Sequence, residues 1–230
     1  MIDKQYFKEK KTTSQEIAEY IKQQILSGEL DPGDRIVETK LAKELGQSQT
    51  PVREAMRLLS GEGVVTIVPN KGPMVRLLER GDIFEIYSLR AVIEGLAIRL
   101  ATQFASDEAV SELERFYEMM KVKAEDDAVE TLLPDSSHIH QTIIELSNHA
   151  RLIQMYQSIS FQIALVTRIL GKKSTKQKEV EQHLELIEAL KKRDPDFAEK
   201  VMRKHIYRSY REFIQLNEDE YREFGEGLWF

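Results

Sequence analysis

Two sets of residues in this chain have types and spacings suited to chemistry. The first is a trio of histidines. His183 and His205 each stand 11 residues from Asp194, where an Asp-Pro pair ends one helical pattern and opens the next. An antiparallel hairpin pivoting there would bring the two imidazoles level, and His140, from an earlier helix, is a third candidate. The chain has no cysteine. Three neutral imidazoles without thiolate suit a borderline divalent ion such as Zn²⁺ or Ni²⁺ in an open site, with water or a ligand oxygen completing the shell. The alternative is a metal-free polar pocket.

The second set lies in GQSQTPVREAMRLLSGEGVV, residues 46–65. Gln49 and Arg53 are four apart and share one helix face. Val52, Ala55, Met56 and Leu59 follow the i, i+3, i+4, i+7 pattern of a buried stripe and point away from that face. Arginine can pair bidentately with guanine and glutamine with adenine, while Thr50 and the helix N-terminus suit a phosphate or a thymine methyl.

The elements that must position these residues can be read from periodicity. TSQEIAEYIKQQIL places Ile17, Ile21 and Ile25 on one stripe with Ser14 as an N-cap. ETKLAKEL carries Leu41 and Leu45 on one face and stops at Gly46. The next helix starts near Ser48. VVTIV and PMVRLL then read as a hairpin around Pro69-Asn70-Lys71-Gly72, whose tip Asn70, Lys71 and Gly72 forms a wing for the minor groove or the backbone. Arg35 and Ser48 join Gln49, Thr50, Arg53 and the wing tip as candidate DNA contacts. Beyond residue 79 the pattern is helical throughout, with expected spans 81–104, 107–125, 130–147, 150–170, 176–192 and 195–216; Ser106 and Asp194-Pro195 supply starts. GKKSTKQK (171–178) reads as a solvated polar connector. The expectation is a mainly α protein: a winged helix-turn-helix of three helices plus a hairpin over 1–78, then an all-helical antiparallel bundle over 79–230.

Composition narrows the class. The chain of 230 residues is 41% hydrophobic and 31% charged, and no run approaches the roughly 18 apolar residues of a membrane span. The charged start MIDKQYFKEKK lacks an apolar segment, so a cytoplasmic protein is expected. The net charge of −6 is uneven: residues 1–78 carry about +1 and the remainder about −7. An anionic polymer would meet the N-terminal part.

With these residues in view, SGELDPGDRIVETKLAKELGQSQTPVREAMRLLSGEGVV…NKGPMV resembles the winged helix-turn-helix of the GntR regulators, and Thr50 and Arg53 match positions that contact DNA in that family. Gln49 stands where an arginine is usual, and Gln47 where a valine is usual. YSLRAVIEGLAIRLA, HIHQTIIELSNHARL and EQHLELIEALKKRDPDFAEKVMRKHI resemble the FCD-type effector domain of the FadR subfamily. Members that hold a metal use D-x3-H, then H, then H about 22 residues on; His140, His183 and His205 match the histidines, but Ser136 stands at the aspartate position. Asp135, next to the irregular start at Pro134, or a water is the substitute fourth ligand, and His138 is the less expected ligand. By spacing, Arg90 and Glu94 lie one turn apart as a helical ion pair; the resemblance implies instead that Arg90 faces the effector cavity and holds a carboxylate, with Glu94 beside it as the second effector-binding candidate. Together these features point to a homodimeric, ligand-responsive regulator, by family default a repressor, that binds a short palindromic operator on double-stranded DNA and senses a small organic acid. A fatty acyl-CoA would leave the three histidines unused. A zinc hydrolase, with Glu145 or Glu94 as base, is the competing reading, although neither lies in a context such as H-E-x-x-H.

Overall fold

The structure is a computed structural model that describes residues 13–78, 80–171, 174–216 and 229. The charged start that argued against secretion, and Lys172 and Lys173 of the polar connector, lie outside those residues. The chain divides after Leu78 into two compact units.

The first unit runs α1 (Thr13–Ser27), α2 (Glu38–Glu44), α3 (Gln49–Gly61), β1 (Val65–Val68) and β2 (Gly72–Val75). Ile17, Ile21 and Ile25 from α1 meet Val52, Ala55, Met56 and Leu59 from α3, all buried. The strands pair antiparallel from Val65↔Val75 to Val68↔Gly72. Pro69 and Asn70 occupy the centre of the turn; Asn70 has φ 63° and Lys71 N–H donates to the Val68 carbonyl, the features of a type II turn.

Helix ends explain two glycines of the quoted stretch. Gly46 has φ 63°, Gln47 N–H reaches the Ala42 carbonyl and Gly46 N–H the Lys43 carbonyl. Gly63 has φ 69°, with Val64 N–H on Leu59 and Gly63 N–H on Ser60. Both are Schellman closures, which use the left-handed conformation to satisfy the last carbonyls.

One local reading needs correction. Ser14 lies inside α1 and is buried, so it is not the N-cap. On α2 the buried residue is Ala42, whereas Leu41 and Leu45 are half-buried. After α1, Arg35 bridges Met74, and Val75 N–H donates to the Asp34 carbonyl, so residues 33–36 add a third extended segment to the hairpin.

The second unit is α4 (Arg80–Phe104), α5 (Asp107–Ala124), α6 (Leu133–Leu146), α7 (Ala150–Gly171), α8 (Lys176–Lys191) and α9 (Pro195–Leu216). Helix α4 is central and packs on α9, α6, α7 and α8. Ser106, Thr175 and Asp194 cap the N-termini of α5, α8 and α9 through side-chain oxygens. Arg193, between α8 and α9, donates to the Thr102 and Ala105 carbonyls and to Asp107, tying this turn to the α4–α5 turn. Helix α6 begins at Leu133, not near residue 130, with Pro134 in its first turn, where a missing N–H costs nothing. Mainly helical, with a winged N-terminal unit and a helical bundle behind it in sequence, the fold is the one expected.

Candidate functional site

The α8–α9 hairpin and α6 bring His140, His183 and His205 together. All three are buried, and their ring centroids lie 4.9–5.2 Å apart. One ring nitrogen of each falls within 4.8 Å of the others. Outer partners hold the rings. His183 Nδ1 lies 2.6 Å from the Glu179 backbone carbonyl, so this nitrogen is the N–H donor. His140 Nδ1 faces Glu94 Oε2 at 2.6 Å, off the line of an ideal hydrogen bond but against an ionised oxygen that also requires a donor. His205 Nδ1 lies 3.3 Å from Glu185 Oε1, which Arg208 also grips.

These contacts decide where the lone pairs are. With Nδ1 protonated on both His140 and His183, both Nε2 atoms are bare, yet they lie 3.3 Å apart. Two lone pairs at that distance repel unless a cation lies between them. A tetrahedral zinc with Zn–N of about 2.0–2.1 Å places its nitrogens about 3.3 Å apart, so the donor set fits such an ion. Two of the imidazoles, His183 and His205, are also held in the ligating form. Burial, then the neighbouring imidazoles of His205 and His140, holds His183 well below the ordinary histidine value. Burial lowers His205 to about 4, against a partial pull upward from Glu185.

Arg90 lines the same cavity, with Tyr87, Tyr156, Ser136, Glu179 and Lys178. Its Nε donates to Glu94 Oε1 at 2.8 Å, and its guanidinium lies 5.2 Å from the centre of the Tyr87 ring. Burial opposes the charges here, but they win: Glu94 raises Arg90, and Arg90, then His140, pulls Glu94 down to about 2. Burial raises Tyr87 to about 12 and Tyr156 further, so both keep their hydroxyl protons as donors.

Two of the expected site residues stand elsewhere. Asp135 does not join the histidines. It sits five residues before His140, about 140° round the helix, and its carboxylate pairs with Lys123 at 2.5 Å. Glu94 does not line the cavity: it is 0% exposed and serves as the anchor behind Arg90 and His140. Glu145 is exposed and accepts from Gln141, so neither carboxylate nominated as a hydrolytic base faces the cavity. His138 is exposed and packs on Phe116. Sequence reasoning missed Glu179 and Glu185. Glu179 was readable as one turn before His183; Glu185 depends on the α8–α9 register, which no local pattern reveals.

In the first unit, Ser48 adopts extended N-cap geometry without using its hydroxyl on the helix. Gln49, Thr50 and Arg53 are exposed on the first turns of α3, with Arg53 Nη2 donating to Gln49 Oε1 at 3.3 Å and Arg53 Nε 3.6 Å from Glu38. Arg35, Asn70 and Lys71 are exposed and Gly72 is half-buried. Arg57, one turn beyond Arg53, is exposed as well.

A solvent-facing helix start beside a hairpin in one unit, and a polar cavity inside a helical bundle in the other, define a DNA-binding protein with a ligand-sensing domain. Residues 13–75 match the family described as bacterial regulatory proteins, gntR family, and residues 85–208 match the FCD domain. The chain belongs to the GntR family and carries an FCD domain. It is 34% identical over 185 residues to the Nta operon transcriptional regulator of Aminobacter aminovorans, covering 80% of this chain and 87% of that one. It is 27% identical over 206 residues to the gluconate operon transcriptional repressor of Bacillus licheniformis, covering 86% and 82%. In fold it is similar to E. coli McbR/YncC, with a TM-score of 0.75 at 22% identity over 90% of this chain and 100% of that chain. The protein is therefore a ligand-responsive, DNA-binding transcriptional regulator.

Proposed function

We propose that the chain is a homodimeric repressor of the FadR type whose helical unit, residues 79–230, senses a small carboxylic acid through a metal ion. The observation that carries this reading is the approach of His140 Nε2 and His183 Nε2 to 3.3 Å, with each Nδ1 facing an acceptor, in a cavity that Arg90 also lines. His140, His183 and His205 would hold the divalent ion, Zn²⁺ or Ni²⁺ by donor type. Bound there, the metal supplies positive charge and open coordination positions for an effector oxygen. Arg90, with Nε already anchored on Glu94, turns the rest of its guanidinium to the effector carboxylate, and Tyr87 and Tyr156 add hydroxyl donors.

Residues 1–78 would bind the operator. Arg53 and Gln49 read bases in the major groove, Thr50 and Ser48 take phosphate at the start of α3, and Arg35, Asn70, Lys71 and Gly72 engage the backbone or minor groove. For the dimer, the support is an apolar stripe on α4: Leu89, Val92 and Leu96, at i, i+3 and i+7, are 46%, 52% and 40% exposed. A second copy covers it, placing two recognition helices on a palindrome.

The test is a thermal-shift screen of small carboxylic acids with and without chelator, paired with a gel shift on the DNA upstream of the protein's own coding region. A hit that chelation abolishes, and that alters a salt-sensitive DNA complex, is expected. Hits indifferent to chelator would remove the metal from the reading, and no salt-sensitive complex would remove that operator.

A further inference from the structure

The cavity holds a buried carboxylate that the three-histidine site does not use. Glu179 is 9% exposed and lies one turn before His183 on α8. Its Oε2 accepts from Ser136 Oγ at 2.6 Å, and its Oε1 accepts from Ser174. Ser136 in turn lies one turn before His140 on α6. The 136–179 and 140–183 contacts are therefore adjacent rungs of one α6–α8 ladder, each joining residues 43 apart.

The charges around Glu179 do not balance. Of the cations on the cavity wall, Arg90 is taken by Glu94, and Lys178 by Glu212 at 2.8 Å. Glu179 has neutral hydroxyl donors and, among the described residues, no cationic partner. A carboxylate buried in the cavity that the three imidazoles line, and answered only by hydroxyls, is an oxygen donor that a divalent cation would take up. The same imidazoles present two lone pairs that also require a cation, so one divalent ion would answer both needs.

We propose that Glu179 supplies the acidic ligand of this metal site: its carboxylate leaves the hydroxyls of Ser136 and Ser174 and completes the shell begun by His140, His183 and His205. The inference rests on the metal reading above and adds a fourth ligand from α8, one turn from His183, where a serine on α6 cannot provide one. The ion would add positive charge to the cavity that receives an acidic effector.

The test uses the full chain, stripped with chelator and titrated with Zn²⁺ by calorimetry and with Co²⁺ by visible absorption. Circular dichroism checks that each variant is folded. Glu179→Gln keeps the shape and removes the charge; it is expected to weaken binding at least about tenfold and to change the Co²⁺ ligand-field bands. Adding Ser136→Asp, a carboxylate one turn before His140, is expected to restore both. His183→Ala is the control that removes a histidine ligand. Wild-type affinity and an unchanged Co²⁺ spectrum in Glu179→Gln would overturn the assignment while leaving the three-histidine site intact. Failure of the wild-type chain to take up either ion would instead overturn the metal reading beneath it.

Discussion

Glu94→Gln isolates how the cavity is held. Glu94 is 0% exposed and its oxygens serve two partners, Oε1 accepting from Arg90 Nε at 2.8 Å and Oε2 facing His140 Nδ1 at 2.6 Å. Its carboxyl is held at about 2 rather than 4.5, so ionisation contributes ~3 kcal/mol to the folded state at neutral pH. Because the folded value is depressed, this stability is present in full above pH 4.5 and is lost as pH falls through about 2. Glutamine keeps the shape but offers one acceptor to two donors. Its NH₂ must face either Arg90 Nε–H, leaving a buried guanidinium without its anion, or His140 Nδ1, which then has to become an acceptor. In the second arrangement the His140 proton moves to Nε2, and that nitrogen no longer ligates. Breaking a buried ion pair costs about 3–5 kcal/mol, the same size as the ionisation figure. Loss of an outer-shell partner weakens metal binding about 10–100-fold. Urea unfolding of chelated protein measures the first effect and zinc calorimetry the second. A variant that loses less than about 1 kcal/mol and binds zinc like the wild type would refute both the anchoring and the tautomer argument.

Arg53→Ala should weaken operator binding about 10–100-fold, the worth of a bidentate base contact, without loss of stability because its side chain is 62% exposed; an unchanged salt-matched gel shift counts against it. Gln49→Arg should change the preferred operator and not merely the affinity, and identical selected-site profiles for the two proteins would sink that claim. Val92→Glu places a charge in the α4 stripe and should convert a dimer to a monomer by analytical ultracentrifugation; a dimer of undiminished stability would move the interface elsewhere. In chelated protein, burial holds folded His205 at about 4 while the free side chain titrates at 6.5. The unfolded chain therefore binds the extra proton between those values, and stability is full above pH 6.5 and falls by about 2 kcal/mol on going from pH 7 to pH 5. Equal urea stability at the two pH values for wild type and His205→Gln, corrected for one another, would contradict this.

Much of the fold was legible because it rests on local periodicity and helix punctuation. The α3 stripe of Val52, Ala55, Met56 and Leu59 is buried as spaced, and Gly46 and Gly63 end their helices through left-handed closures that few other residues adopt. Two of the histidines, His183 and His205, were legible for a geometric reason: equal distances from Asp194 become equal heights once the chain reverses there; His140, on an earlier helix, was reached through the family resemblance. What stayed hidden depends on register between distant elements. Residues 33–36 show no strand pattern, and their pairing with β2 appears only once the hairpin exists to receive them. Asp135 reaches the histidines only if the start marked by Pro134 is irregular, but a regular helix from Leu133 turns it toward Lys123. Glu94 looked like a surface ion-pair partner by spacing; its burial behind Arg90 follows from α4 being the central helix, a property of the packing and not of the repeat.

That central position gives α4 two jobs on two sides. Arg90 and Glu94 lie within about 40° of each other round its axis, facing the imidazoles, while Leu89, Val92 and Leu96 form the stripe on the opposite, exposed side. On the proposed reading, an effector that draws Arg90 toward a metal held by the histidines would act on the helix that also carries the proposed dimer face, so no long chain of intervening contacts is needed to connect sensing with assembly. The size of the response has a thermodynamic limit. A ligand would shift the proposed dimer between DNA-competent and incompetent arrangements only by the difference in its affinity for the two, and dimer geometry must change effector affinity by the same factor in return. An effector that met Arg90 and the metal equally well in both arrangements would bind tightly and regulate nothing. The Glu94 anchor bears on this directly: by holding Arg90 through Nε it makes a guanidinium movement relative to α4 costly, so that displacement of the guanidinium becomes displacement of the helix.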